Sequence, residues 1–185
     1  MGLKEEIAVA RAAAQPFAED GEALVGIVPA EPAGTRVYLC AFERDGEATW
    51  IALDEGGGPV VDRALVRDAV SIAALCELAE ESAGGGDLAE LRSRLAELRA
   101  AENPEGIEEA EAAAVDLERA ILEPPRVASI TYLDTIGRRA ARLEDALGST
   151  GGSPFAAAMK TGLAAADELA TSVERAYKVS LSEAS

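Results

Sequence analysis

The sequence predicts an α+β protein, predominantly helical, in which an N-terminal helix and a three-stranded antiparallel β-meander pack against a C-terminal helical bundle. Three observations lead there. Beyond residue 60, apolar residues recur at spacings of three and four, the period of an amphipathic helix. Between residues 23 and 54 the pattern shifts to short β-branched and aromatic runs, two of them separated by a turn dipeptide, Asp45-Gly46. Alanine contributes 40 of 185 residues and aromatics only 4%, a composition suited to closely approaching helices rather than wide apolar pockets. Residues 1–83 are expected to form a helix–β-meander–helix unit. Residues 84–185 are expected to add a helical hairpin and two further helices, all packed as one domain.

The elements follow in order. Leu3, Ile7, Ala10 and Ala14 place a stripe on a first helix over residues 3–18, kinked or ended at Gln15-Pro16. Residues 23–28 form the first strand and residues 29–34, bounded by Pro29, Pro32 and Gly34, a loop. Residues 36–43 and 47–54 form a hairpin, because Asp45-Gly46 supplies the positive φ angles of a tight turn. Gly56-Gly57-Gly58-Pro59 ends the strands, and every later element is expected to be helical.

Residues 60–82 carry apolar side chains nearly all round from Ala69 to Ala79, the mark of a buried helix. Asp87, with Glu90 three residues on, caps the next helix, whose seam is Leu88, Leu91, Leu95 and Leu98. Asn103-Pro104 starts its antiparallel mate, with Ile107, Ala110, Ala114, Leu117 and Ile121 facing back. After Glu123-Pro124-Pro125, a helix to Leu147 carries Leu133, Ile136, Ala140 and Leu143. Residues 148–153 form a loop. The last helix carries Phe155, Met159, Leu163, Ala166, Ala170, Val173 and Tyr177, and the tail after Lys178 is expected to fray.

Charge and composition exclude several functions. The chain has 17 Lys and Arg against 34 Asp and Glu, a net charge of −17. Such a surface repels phosphate backbones and anionic lipid, which argues against nucleic-acid and membrane partners and favours a basic or neutral protein partner. The order α-β-β-β-α is that of double-stranded-RNA-binding domains. The basic cluster those domains place at their last helix is missing from Pro59-Val-Val-Asp-Arg-Ala, so charge rejects that function. The longest apolar run is far shorter than a bilayer span, and Cys40 and Cys76 lie in apolar surroundings, expected as buried, reduced thiols. A cytoplasmic protein is the expectation. Arg exceeds Lys 14 to 3, and Asn and Gln occur once each, which fits a GC-rich bacterial gene.

The chain has no histidine. Ser-His-Asp and Cys-His nucleophiles, His-ligated zinc and His-containing di-iron sites are therefore absent from its chemistry. No cofactor is expected. Glu77, Glu80 and Glu81 are the candidate metal ligands, since Glu77-Leu-Ala-Glu80 is half of the magnesium motif of all-helical nucleotide pyrophosphohydrolases. The second half, Glu-x-x-Asp, does not follow. These carboxylates also suit the solvated edge of a buried helix.

Arg138, Arg139 and Arg142 form the basic cluster, beside unusual polarity at Tyr132, Asp134 and Thr135. This patch is the candidate ligand site. For the arginines themselves the first expectation is that they face the acidic hairpin helices of their own chain; the alternative is a site for an acidic partner or a phosphorylated ligand. Residues 124–185 carry seven basic and seven acidic residues, so the negative excess lies earlier in the chain. The expected function is a non-catalytic interaction or assembly module that forms a homodimer through helical faces. The alternative is a small-molecule or nucleotide-handling protein using carboxylates and the arginine cluster.

Overall fold

The apolar runs at residues 23–31, 37–44 and 47–54 pair into a sheet because each contributes buried or half-buried apolar side chains to a common core, and the hairpin between the last two is as expected. In the computed structural model, which describes residues 2–84, 93, 95–97, 99–101, 104–123, 126–148 and 152–183, the strands are β1 (Ala23–Glu31), β2 (Val37–Arg44), β3 (Glu47–Asp54) and β4 (Ala128–Ser129). The helices are α1 (Leu3–Ala14), α2 (Arg63–Gly84), α3 (Pro104–Leu122), α4 (Ile130–Ala146) and α5 (Pro154–Arg175). Asp45 and Gly46 take φ of 54° and 84°, the left-handed pair a two-residue hairpin turn requires.

The sheet corrects the expected three-stranded antiparallel meander. It has four strands in the order β3-β2-β1-β4, and β4 runs parallel to β1 through Ala30 with Ala128 and Glu31 with Ser129. β1 also extends through Pro29, where a loop was expected; Pro29 stands opposite Tyr38 of β2. β4 reaches only Ala30 and Glu31, so Pro29 sits where one flank of β1 is an edge, and a residue without an N–H is tolerated there.

Two compact units divide the chain. The first comprises Met1–Leu75, Pro125–Ile130 and Leu163–Ser185, the second Cys76–Pro124 and Thr131–Gly162. In the first unit, Ala10 and Ala14 of α1 pack with Tyr38, Cys40, Phe42, Ile51 and Leu53 of the sheet. Burial pushes the Cys40 thiol up to about 11, which keeps it protonated and unreactive. No disulfide joins Cys40 to Cys76, and both are buried.

Residues 176–182, where a frayed tail was expected after Lys178, are paired instead. Tyr177 lies beyond α5 rather than on it, and residues 176–178 run beside β3: the Trp50 N–H donates to the Ala176 carbonyl at 3.0 Å, and the Lys178 N–H to the Trp50 carbonyl at 2.8 Å. The Tyr177 hydroxyl accepts from the Ala52 N–H at 2.7 Å and donates to the Val60 carbonyl at 2.9 Å. Lys178 Nζ lies 2.5 Å from Glu22 Oε2 and 4.8 Å from the Phe42 ring centre. Ser182 continues the pairing, donating its N–H to the Val61 carbonyl at 2.7 Å. These partners lie more than a hundred residues away in sequence, out of reach of any local pattern.

In the second unit, Ala79 of α2, Ala113 and Leu117 of α3, and Ile136, Ala140 and Leu143 of α4 form the core. The stripe expected on α3 is realised: Ile107, Ala110 and Leu117 are buried and Ala114 and Ile121 half-buried. Of the preceding helix, Asp87, Leu88, Glu90, Leu91 and Leu98 lie outside the described residues. Leu95 is half-buried, and Arg99 forms an ion pair with Glu111 of α3. Among the described residues no helix is long and apolar enough to cross a membrane.

Candidate functional site

The expected ligand patch lies on α4, and the structure divides it by the rotation of the helix. One side turns inward. The Tyr132 hydroxyl lies 3.0 Å from Glu80 Oε1 and 3.2 Å from the Ala120 carbonyl, so its one proton joins α4 to α2 and α3. Arg139 Nη1 donates to the Asp116 carbonyl at 2.7 Å, and Arg142 Nη1 lies 3.3 Å from Asp116 Oδ2. Two of the three arginines thus face the acidic helix α3 of their own chain. Thr135 donates its hydroxyl to the Thr131 carbonyl at 2.8 Å, the back-bonding by which a helical threonine satisfies itself.

The other side turns outward, over a groove. Thr131, Leu133, Asp134, Gly137 and Arg138 of α4 and Phe155 and Met159 of α5 line an open depression of about 570 Å³. Its floor is apolar: Leu133, Phe155 and Met159 are half-buried and rest on the core of the second unit. Its rim is charged. Asp134 and Arg138 are exposed, one helical turn apart. Their side chains do not pair with each other; Arg138 Nε instead donates to the Asp134 carbonyl at 3.3 Å. Among the described residues, neither side chain has an ion-pair partner.

The start of α5 places the floor. Ser153 Oγ accepts the Ala156 N–H at 3.1 Å, satisfying one of the N-terminal donors that a helix leaves unpaired. Glu144 of α4 takes the Ser153 hydroxyl proton on one oxygen and the Phe155 N–H on the other, the latter at 3.0 Å. A carboxylate at a helix N-terminus is favoured by the helix dipole as well. Glu144 therefore fixes Phe155 beside α4.

Gly137 is the residue that shapes the groove. A glycine inside a helix costs about 0.5–1 kcal/mol relative to alanine. Its own fold does not demand it, since a Cβ there would meet Phe155 Cε1 at 3.4 Å, an ordinary contact. What the missing methyl does is leave the groove open beside the Phe155 ring.

The carboxylates expected as metal ligands are spread over the end of α2. Glu77 and Glu81 are exposed and Glu80 accepts the Tyr132 hydroxyl. Among the described residues, no three Cys, Asp or Glu side chains converge as a metal site. Sequence reasoning placed Asp134 and Arg138 in the candidate patch but read Leu133, Phe155 and Met159 as core. The available signal was Gly137, an isolated glycine in an otherwise regular helical pattern. No protein family, curated protein or solved structure matches the chain.

Proposed function

We propose that this chain is a non-catalytic protein-interaction module whose working surface is the groove between α4 and the start of α5. One observation carries it: an apolar floor of Leu133, Phe155 and Met159 lies open beneath two rim charges, Asp134 and Arg138, that have no ion-pair partner among the described residues. Apolar anchor pockets with a charged rim are the usual form of a protein docking site. Methionine suits this use, because its flexible thioether adapts to varied apolar surfaces. The groove also presents little for proton transfer. An arginine stays protonated, and the remaining polar groups are one exposed carboxylate and the hydroxyl of Thr131.

The two buried, unbridged thiols fit a reducing compartment and support a cytoplasmic setting for this role. A phosphorylated small molecule is the less supported occupant. Asp116 engages Arg139 and Arg142, leaving Arg138 as the cation at the groove.

Selection from a displayed library of short peptides tests the reading. Peptides with an aliphatic or aromatic anchor should be enriched on the full chain and lost on Gly137→Leu, whose side chain fills the groove. Circular dichroism checks that the variant keeps its helices. Binders that ignore Gly137→Leu would place recognition elsewhere.

A further inference from the structure

We infer that the partner seated in this groove is a second copy of this chain, docked about a twofold axis that sets α4 antiparallel to α4 of the other copy. This rests on the docking reading above and commits it to one occupant. A twofold contact is self-complementary: if residue i meets residue j of the partner, then j meets i. Asp134 and Arg138 satisfy that condition within a single turn. They are opposite in charge, both exposed, and neither has an ion-pair partner among the described residues. With the axis level with residue 136, each Arg138 meets the partner's Asp134, so one helical turn encodes two intermolecular bridges.

Three further features fit that arrangement. The exposed positions Thr131, Asp134, Arg138, Ala141 and Asp145 follow one another at spacings of three and four, a continuous ridge along one face of α4. The groove it would enter has a glycine, Gly137, in its lining, which adds no side chain to oppose it. The methylene stem of Arg138 then covers the apolar floor at Phe155 while its guanidinium reaches the rim. Finally, a net charge of −17 makes two copies repel, yet residues 131–162, the stretch of the second unit that carries the groove, hold four basic and three acidic residues. This stretch is where two copies approach at least electrostatic cost.

The charges can be exchanged without changing composition. Sedimentation velocity on the full chain across the micromolar range should show a dimer. Arg138→Asp or Asp134→Arg should each weaken it on the order of tenfold or more, since every bridge becomes a like-charge contact. The double exchange Asp134→Arg with Arg138→Asp should restore it to within about threefold, and mixing the two single variants should restore a mixed dimer. Gly137→Ala should weaken the dimer while leaving the thermal midpoint of a dilute sample unchanged or raised. A dimer indifferent to both single reversals overturns the inference by placing the interface elsewhere. A monomer that still selects groove-dependent peptides overturns the second copy alone, and a monomer that selects none overturns the docking reading with it.

Discussion

Lys178→Ala should destabilise the first unit by about 3 kcal/mol, because it leaves the Glu22 carboxylate shielded from water without its cation. The Glu22 side chain is 2% exposed and that of Lys178 7%. Besides Lys178, Glu22 accepts the Thr49 hydroxyl at 2.7 Å and the Glu19 N–H at 2.8 Å. These bonds, the one from Lys178 foremost, lower its pKa from 4.5 to about 2. A depressed carboxyl pKa contributes stability that is present above the unfolded value and lost as pH falls through the folded one. Wild-type stability should therefore decline between about pH 4.5 and about pH 2, and Lys178→Ala should flatten that decline. Urea denaturation across the window reads both effects. Replacing the pair together, Glu22→Leu with Lys178→Met, should cost less than Lys178→Ala, since no charge is then left unpaired. A neutral-pH loss below about 0.5 kcal/mol would show that water reaches the carboxylate freely.

Ile136→Ala should cost about 3–4 kcal/mol, and Ile136→Val about 1 kcal/mol, in the same assay at neutral pH. Ile136 is fully buried in the second unit among Ala79, Ala113, Leu117, Ala140 and Leu143. Three of those neighbours are alanines, which have no rotamer to swing into a void. The cavity left by the deleted methylenes therefore stays open, and the cost lies in the upper part of the usual range. Leu163→Ala makes the contrast. At 59% exposure, its loss should change stability by less than about 0.5 kcal/mol. A small effect at Ile136 would mean that the seam of α3 and α4 is packed otherwise.

What the sequence made legible was what local chemistry determines. Asp45-Gly46 requires positive φ wherever it sits in a hairpin, so its turn could be read directly. The stripes on α1, α3 and α4 follow from the helical period alone. Elements whose reason for existing is a distant partner stayed hidden. β4 is two residues long and follows a double proline; only its pairing with Ala30 and Glu31 makes it a strand. Tyr177 matched the spacing of α5 but is held beyond it by Trp50, Ala52 and Val60. Lys178 stood at the edge of an expected frayed tail, yet Glu22 and Phe42 secure it.

The candidate site was legible to the same degree. Asp134 stood out in the polar run at the start of α4, and Arg138 in the basic cluster that follows it. That Arg139 and Arg142 turn instead to Asp116 depends on where α3 lies, which three neighbouring arginines do not reveal. The groove needs two helices set side by side by Glu144. No spacing within α5 distinguishes Phe155 and Met159 as a floor from the same residues as core.

Met159 lines the groove, so a methionine-methyl-labelled sample carries a reporter inside it. The most direct measurement is the carbon–proton methyl spectrum of such a sample as its concentration is raised. If the groove is a docking surface filled by a second copy, the Met159 resonance moves with concentration. The Met159 signal should remain at its dilute position in Arg138→Asp and shift when a groove-selected peptide is added. A Met159 resonance that is the same at every concentration and with every peptide would contradict the account.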